Sequence, residues 1–197
     1  MPLGANKAAI MGVAGTAVTG DVVLINSITA SGDATVTFSS GIDSTYYLYT
    51  FGFYNINPAT DDVRLQFQVN ATDGADYNDS AITSTYHRAY HREDDVDAAV
   101  TYVASGDLVQ ATTFQALQQE MGNGADESTA GFLHLWNPSS TTYIKHFQSR
   151  TNGYYQANWT MDAHIAGYIN DTTAIDDIQF KFESGNFDGV IKMWGTK

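Results

Sequence analysis

The alternation of apolar and polar side chains at every second position is the clearest pattern in the chain. Residues 62–70 show it best, with apolar side chains at Val63, Leu65, Phe67 and Val69. The side chains between them are polar. Because successive side chains of a strand point to opposite faces, this pattern predicts an antiparallel strand with one face in a core and the other in water.

Two further segments, residues 33–38 and 175–182, alternate in the same way and are bounded by Gly or Asp turn signals. Their β-branched and aromatic content predicts more strands, at residues 21–27, 46–54, 82–90, 98–103, 131–136, 142–148, 162–169 and 189–194. The spacing of roughly ten residues is typical of an all-β sandwich or jelly roll.

One segment fits both a helix and a strand. Phe114, Leu117 and Met121 have helical spacing, and Gly122 suits the position just after a helix. The same segment also alternates and runs into a Gly-rich loop, so we expect a strand. The predicted fold class is therefore all-β: an antiparallel, jelly-roll-like β-sandwich with an extended Gly-rich N-terminal arm.

The first 20 residues differ from the rest of the chain. Their weak apolar run is broken by Gly12 and Gly15, which makes it too short for a membrane span and too Gly-rich for a signal peptide. We divide the chain into an arm, residues 1–20, and a sandwich domain, residues 21–197. The arm is expected to dock on a neighbouring subunit or on its own domain through its apolar residues, Leu3, Ile10, Met11 and Val13.

The charge balance narrows the choice of partners. The formal net charge is −13 with nine Lys and Arg, which leaves no basic stripe for a nucleic acid or an anionic membrane. The surplus of carboxylates mainly favours solubility, and it can also attract divalent cations. The chain has no cysteine, so disulfides and thiolate metal sites are excluded.

Residues 73–79 form a polar loop rich in oxygen ligands: Asp73, Asp76, Asn78 and Asp79. Hard oxygen ligands of this kind can hold calcium, although the loop lacks the glycine and the bidentate Glu of an EF-hand. A solvated turn has the same composition. Calcium is thus a possible cofactor, and no other cofactor is expected.

His87 and His91 are four residues apart and precede Glu93, Asp94 and Asp95, a spacing that would suit zinc on a helix. The local pattern favours a strand, where residues four apart lie about 13 Å from each other. Two such side chains cannot share one metal, so we interpret them as exposed strand histidines.

No catalytic motif is present in the sequence. There is no Gly-x-Ser-x-Gly elbow, and the five histidines carry no triad-like motif: His87, His91, His134, His146 and His164. A carboxylate pair for glycoside hydrolysis could not be recognised in the sequence, because the distance between the two carboxylates is set only when the chain folds. We expect no enzymatic activity.

Surface aromatics suggest a sugar site. Tyr154, Tyr155 and Trp159 cluster beside Asn and Gln amides, and such rings can stack on sugar faces while the amides bind hydroxyls. Packing at an interface or over a sheet edge is the alternative explanation.

Several turn and strand motifs match a known group of proteins: GIDSTY at 41–46, NPATD at 57–61, NPSSTT at 137–142 with KHF at 145–147, and AIDDIQF at 174–180 before SGN at 184–186. Over most of residues 21–195 they resemble a family of short virion-associated structural proteins of bacteriophages from marine bacteria. The family offers no catalytic residues to carry over.

The resemblance implies a virion protein displayed on the particle, as a capsid decoration or as a tail or fibre component, and anchored by its arm. Its partners would be other virion proteins and copies of itself, and a trimer is expected by analogy with phage fibres and capsid three-fold positions. A host-receptor or glycan-binding module is the alternative function. A glycoside hydrolase or lyase comes third.

Overall fold

The computed structural model describes residues 21–72, 74 and 76–197. The predicted arm, with Leu3, Ile10, Met11 and Val13, lies outside the described residues. Twelve antiparallel strands and one 3₁₀ turn, Ala104–Gly106, make up the regular structure of the described part. The strands are β1 (Val22–Asp33), β2 (Thr35–Phe38), β3 (Leu48–Pro58), β4 (Val63–Ala71), β5 (Ile82–Arg92), β6 (Ala98–Tyr102), β7 (Gln115–Met121), β8 (Thr129–Trp136), β9 (Lys145–Tyr155), β10 (Trp159–Ile169), β11 (Ile175–Phe182) and β12 (Phe187–Thr196).

The strand order confirms the predicted jelly roll. Eight strands form two layers, in the orders β1-β12-β3-β8 and β7-β4-β11-β2, so each layer interleaves strands from the two ends of the chain. The first layer continues through β9, β10, β5 and β6. We call this eight-stranded layer the large sheet and the other the small sheet. Pairing of Met121 with Tyr155 joins the two at one edge.

The core lies between the sheets and is centred on Phe180 of β11, which is fully buried. Its ring centroid lies 5.3–6.5 Å from those of four other phenylalanines: Phe53, Phe51, Phe38 and Phe67. Two of these four pairs, those with Phe38 and Phe53, meet edge to face, the arrangement that the aromatic quadrupole favours. The small sheet therefore packs on the large one through phenylalanine rings from β2, β3, β4 and β11.

Two segments can be compared with the strand positions predicted from the sequence. The ambiguous segment around Leu117 is the strand β7, as expected, and it is buried along most of its length. β9 begins at Lys145, three residues later than predicted, because Ser140 Oγ accepts the backbone N–H of Thr142 (3.2 Å) and of Tyr143 (3.0 Å). A hydroxyl that binds nearby backbone in this way stabilises a turn in place of a strand.

Tyr49 of β3 is fully buried and closes one end of the core. Its hydroxyl accepts the backbone N–H of Asp43 (2.8 Å) and donates to the carbonyl oxygen of Asp43 (2.9 Å). Burial raises the pKa of Tyr49 to about 12, because the phenolate would lose its hydration inside the protein.

Alkaline solution is therefore expected to destabilise the fold through Tyr49. An unfolded tyrosine ionises near pH 10, so the contribution of Tyr49 is complete below pH 10 and falls by about 1.4 kcal/mol per pH unit between 10 and 12. Urea unfolding of the wild type and Tyr49→Phe at several pH values checks this. The variant is about 1–2 kcal/mol less stable at neutral pH, and the difference should narrow above pH 10. A constant difference would contradict the assignment.

Candidate functional site

The outward side of six neighbouring strands, β3, β8, β9, β10, β5 and β6, forms one continuous surface that we call the outer face. Strand alternation puts the core residues of these strands on the opposite side. One of the chain's 22 acidic residues, Asp162, lies in these six strands. On a chain with a net charge of −13, the outer face is therefore strongly depleted of negative charge.

Cross-strand pairing builds the centre of the outer face from distant parts of the sequence. One row of paired residues takes one member from each strand: Gly52, Phe132, Arg150, His164, His87 and Tyr102. The imidazoles of His87 and His164 stack with their centroids 5.0 Å apart and an angle of 11° between the rings. The middle of the row is thus flat and aromatic.

Asp162 is held by its neighbours on the outer face. Arg150 donates two hydrogen bonds to its carboxylate, from Nε (3.0 Å) and from one terminal nitrogen (2.9 Å), and His164 Nε2 lies 3.1 Å from the same carboxylate. The hydrogen bonds from Arg150, followed by that from His164, lower the pKa of Asp162. Because its charge is paired in this way, Asp162 adds little free negative potential to the outer face.

The five histidines of the chain all occupy outward positions of this sheet. His134 Nδ1 lies 2.9 Å from Thr50 Oγ1, and its ring centroid lies 4.7 Å from that of Phe132. Burial lowers the pKa of His134, which favours its neutral form. His134 therefore acts here as a flat, hydrogen-bonding aromatic ring.

Large apolar side chains are exposed on the outer face: Tyr54, Val100, Tyr102 and Phe132. Val100 is 77% exposed and Phe132 is 38% exposed. A shallow depression of about 370 Å³ lies beside Phe132, Arg150 and Asp162. Clustered apolar and aromatic side chains with few charges are typical of a surface that docks another protein.

The three residues predicted to bind a glycan do not share one surface. Tyr155 and Trp159 contact each other, with centroids 5.4 Å apart, and Tyr90 lies 4.8 Å from Trp159. Tyr154 points to the opposite face of the sheet, where its hydroxyl donates to Glu93 (3.2 Å). Two of the three rings are thus together, beside the core at the tip of the β9–β10 hairpin, and a three-ring platform is not formed.

The predicted calcium loop is described only in part, since Asp73 lies outside the described residues. The Asp76 carboxylate accepts hydrogen bonds from the backbone N–H of Asn78 (3.2 Å) and from its side-chain amide (3.0 Å). Asp79 is exposed. Residues 21–72, 74 and 76–197 contain no group of three His, Cys, Asp or Glu that could hold a metal ion. Calcium binding by this loop stays a prediction.

The structure separates His87 and His91, in keeping with their interpretation as strand residues. Both point outward from β5, where His87 stacks on His164 and His91 Nε2 lies 2.9 Å from Asp95. The sequence did place these histidines on a strand. What it could not supply was the pairing of β5 with β10, which joins His87 to a residue 77 positions away.

Comparison with known proteins gives little further information. No protein-family model and no curated protein matches this chain. Within the described residues, no helix is long and apolar enough to cross a membrane. One similar solved chain belongs to the structure of infectious bursal disease virus Gx strain, with 13% identity and a TM-score of 0.15, over 88% of this chain and 39% of that chain. A TM-score this low carries no argument about fold or function.

Proposed function

We propose that this protein is a non-enzymatic structural subunit of a bacteriophage particle, displayed as a capsid decoration or as a tail or fibre component. The observation that carries the proposal is the outer face, a broad, acid-poor surface with exposed aromatic and apolar side chains on an otherwise acidic β-sandwich. Such a surface suits a docking role, and the jelly roll is an architecture used by viral capsid domains among others. The resemblance of the turn motifs supports the same proposal.

The occupant of the outer face is a second copy of this chain. Residues 93–97, in the turn between β5 and β6, supply four carboxylates around Val96, which is 73% exposed. This acidic turn complements the outer face, which has one acidic residue in its six strands and exposes Phe132. Val96 can pack on the exposed apolar side chains while the carboxylates meet a surface that is poor in negative charge.

The contact joins two different patches. When each copy uses it once to receive and once to donate, with a different neighbour each time, the contact is heterologous and the smallest closed assembly is a ring of three. We propose this ring, the expected trimer, and a dimer in which two copies exchange the turn reciprocally is the alternative that sedimentation distinguishes. Other virion proteins would then bind the ring through surfaces that remain free, including the arm.

Phe132→Glu is expected to abolish self-association, because it adds a negative charge to the surface that receives the acidic turn. Sedimentation of the wild type at micromolar concentration should give the mass of a ring, and the variant should give the mass of a monomer. Tyr143→Glu is the control, since Tyr143 is 70% exposed and lies in a loop outside the outer face.

Two results would contradict the proposed self-association. One is a variant that associates as the wild type does, and the other is a wild type that remains monomeric. The role in the particle has its own test, immunogold imaging of intact virions with an antibody against this chain. Regular labelling of the capsid or the tail is expected, and unlabelled particles would refute that role.

A further inference from the structure

A second concave site lies over the outward side of the small sheet. This cavity of about 480 Å³ is bounded by β4 and β11 below and by the loop of residues 105–114 at its side. Arg64, Gln66 and Lys181 form its floor, and Tyr77, Asn78 and Phe114 line its wall. We call it the small-sheet pocket. Its volume is in the range of sites that hold small organic ligands.

Two cations, Arg64 and Lys181, line this pocket together with one carboxylate, Asp107. Lys181 Nζ lies 4.0 Å from the centre of the Phe114 ring and forms no ion pair with a carboxylate in the described part of the chain. Arg64 has a weak partner in Glu183, at 3.9 Å, and both side chains are more than one-third exposed. Lys181 can therefore receive an anionic ligand directly, and Arg64 can do so by exchanging its weak, solvent-exposed partner.

The carboxylate of Asp107 also lines the pocket, but its oxygens are already bound. One accepts the backbone N–H of Tyr86 (2.6 Å), and the other accepts the hydroxyl of Tyr102. These bonds fix Asp107 to the edge of β5 and β6. Asp107 is thus a structural part of the loop and does not pair with Lys181 or Arg64.

The rest of the lining suits a hydroxyl-rich ligand. Gln66 contributes an amide, as does Asn78, whose amide nitrogen already donates to Asp76. Thr112 and Thr113 add residues with hydroxyl groups, and Tyr77 adds apolar surface. Amides and hydroxyls exchange hydrogen bonds with sugar hydroxyls, while cations bind a carboxylate. A bare phosphate would use the cations and leave the amides and the ring without a role.

We infer that the small-sheet pocket binds a carboxylate-bearing sugar, of the uronic or sialic acid type. Arg64 and Lys181 receive the carboxylate, and the amides and hydroxyls receive the ring hydroxyls. This inference goes beyond the proposed function and does not depend on it, because the cations of the pocket lie on the small sheet and substitutions there leave the residues of the outer face unchanged.

Titration of the full chain with N-acetylneuraminate and with glucuronate, followed by amide NMR, tests the inference. Saturable shifts are expected around residues 64, 78, 112–114 and 181. Glucose should bind at least about tenfold more weakly, since it lacks the charge that the two cations recognise. Inorganic phosphate separates a sugar site from a general anion site, and it should also bind at least about tenfold more weakly.

Substitutions at Lys181 test whether the acidic sugar binds in this pocket. Lys181→Gln should weaken N-acetylneuraminate binding about tenfold or more, and Lys181→Arg should largely retain it. Lys192→Gln is a matched control, because Lys192 also lies on a strand over an aromatic ring, 5.3 Å from the centre of Tyr54, but belongs to the large sheet. It should bind as the wild type does.

Three outcomes would overturn the inference: no saturable shift with either acidic sugar, equal binding of phosphate, or equal loss of affinity in Lys192→Gln and Lys181→Gln. The thermal unfolding temperature of each variant is expected to match that of the wild type, because these lysines are partly exposed. A loss of binding can then be attributed to the pocket and not to loss of the fold.

Discussion

Phe180→Ala is expected to lower the free energy of unfolding by about 3–5 kcal/mol, the range for deleting a buried phenylalanine. Phe180 is fully buried and contacts phenylalanines of β2, β3 and β4, so its loss leaves a cavity between the two sheets that their backbones cannot close. Urea unfolding followed by tryptophan fluorescence measures the change.

Removal of an aromatic ring at an exposed site is the control. Tyr143→Ala changes a loop outside the outer face and should cost less than about 1 kcal/mol. Should Phe180→Ala fail to fold, Phe180→Leu keeps most of the volume and should cost about 1–2 kcal/mol. Equal effects of the alanine changes at 180 and 143 would show that Phe180 is not the centre of the core.

Lys145→Met is expected to lower the free energy of unfolding by about 2–4 kcal/mol, although it replaces a charged residue by an apolar one. Lys145 begins β9 and is fully buried, and its ammonium donates to the carbonyl oxygens of Asp171 (2.9 Å) and Thr173. These bonds hold residues 170–174, which carry the chain from the large sheet to the small sheet. Lys192→Met, at a partly exposed strand position, is the control and should be nearly neutral.

The pH dependence of Lys145 has the opposite sign to that of Tyr49. Burial lowers the pKa of Lys145 below its ordinary value of 10.5, and the charge of Asp171 opposes the shift only in part. Between the lowered pKa and 10.5 the unfolded chain binds more protons than the folded one, so stability rises with pH in that window. Unfolding measured across this window in wild type and Lys145→Met should show the rise in the wild type alone. The same slope in both proteins would contradict this account.

The two proposed binding surfaces differ in the charged side chains that they present. The outer face of the large sheet is poor in carboxylates and rich in aromatic rings, as a protein-docking surface requires, and the small-sheet pocket holds cations beside amides and hydroxyls. Both surfaces lie opposite the core side of their sheets. Each can therefore change by mutation with little effect on the packing around Phe180.

The candidate sites could be predicted less well than the strands. Tyr154, Tyr155 and Trp159 were grouped because they are close in sequence. Tyr155 and Trp159 do lie together, because a tight turn joins their strands, whereas strand alternation puts Tyr154 on the opposite side. Arg64 and Lys181 are 117 positions apart, and each alone resembles an ordinary solvated strand residue. Only the loop of residues 105–114, folded over their sheet, makes a pocket of them.

The amino-acid sequence by itself determined the strands and the fold class, because alternation and turn residues act over a few neighbouring positions. Residues 62–70 and 175–182 were predicted nearly to the residue for this reason. Only the tertiary structure decided which strands pair. The stacking of His87 on His164, the binding of Asp162 by Arg150 and the burial of Lys145 all depend on contacts between strands that are distant in the chain, and such contacts are set by the packing of the whole domain.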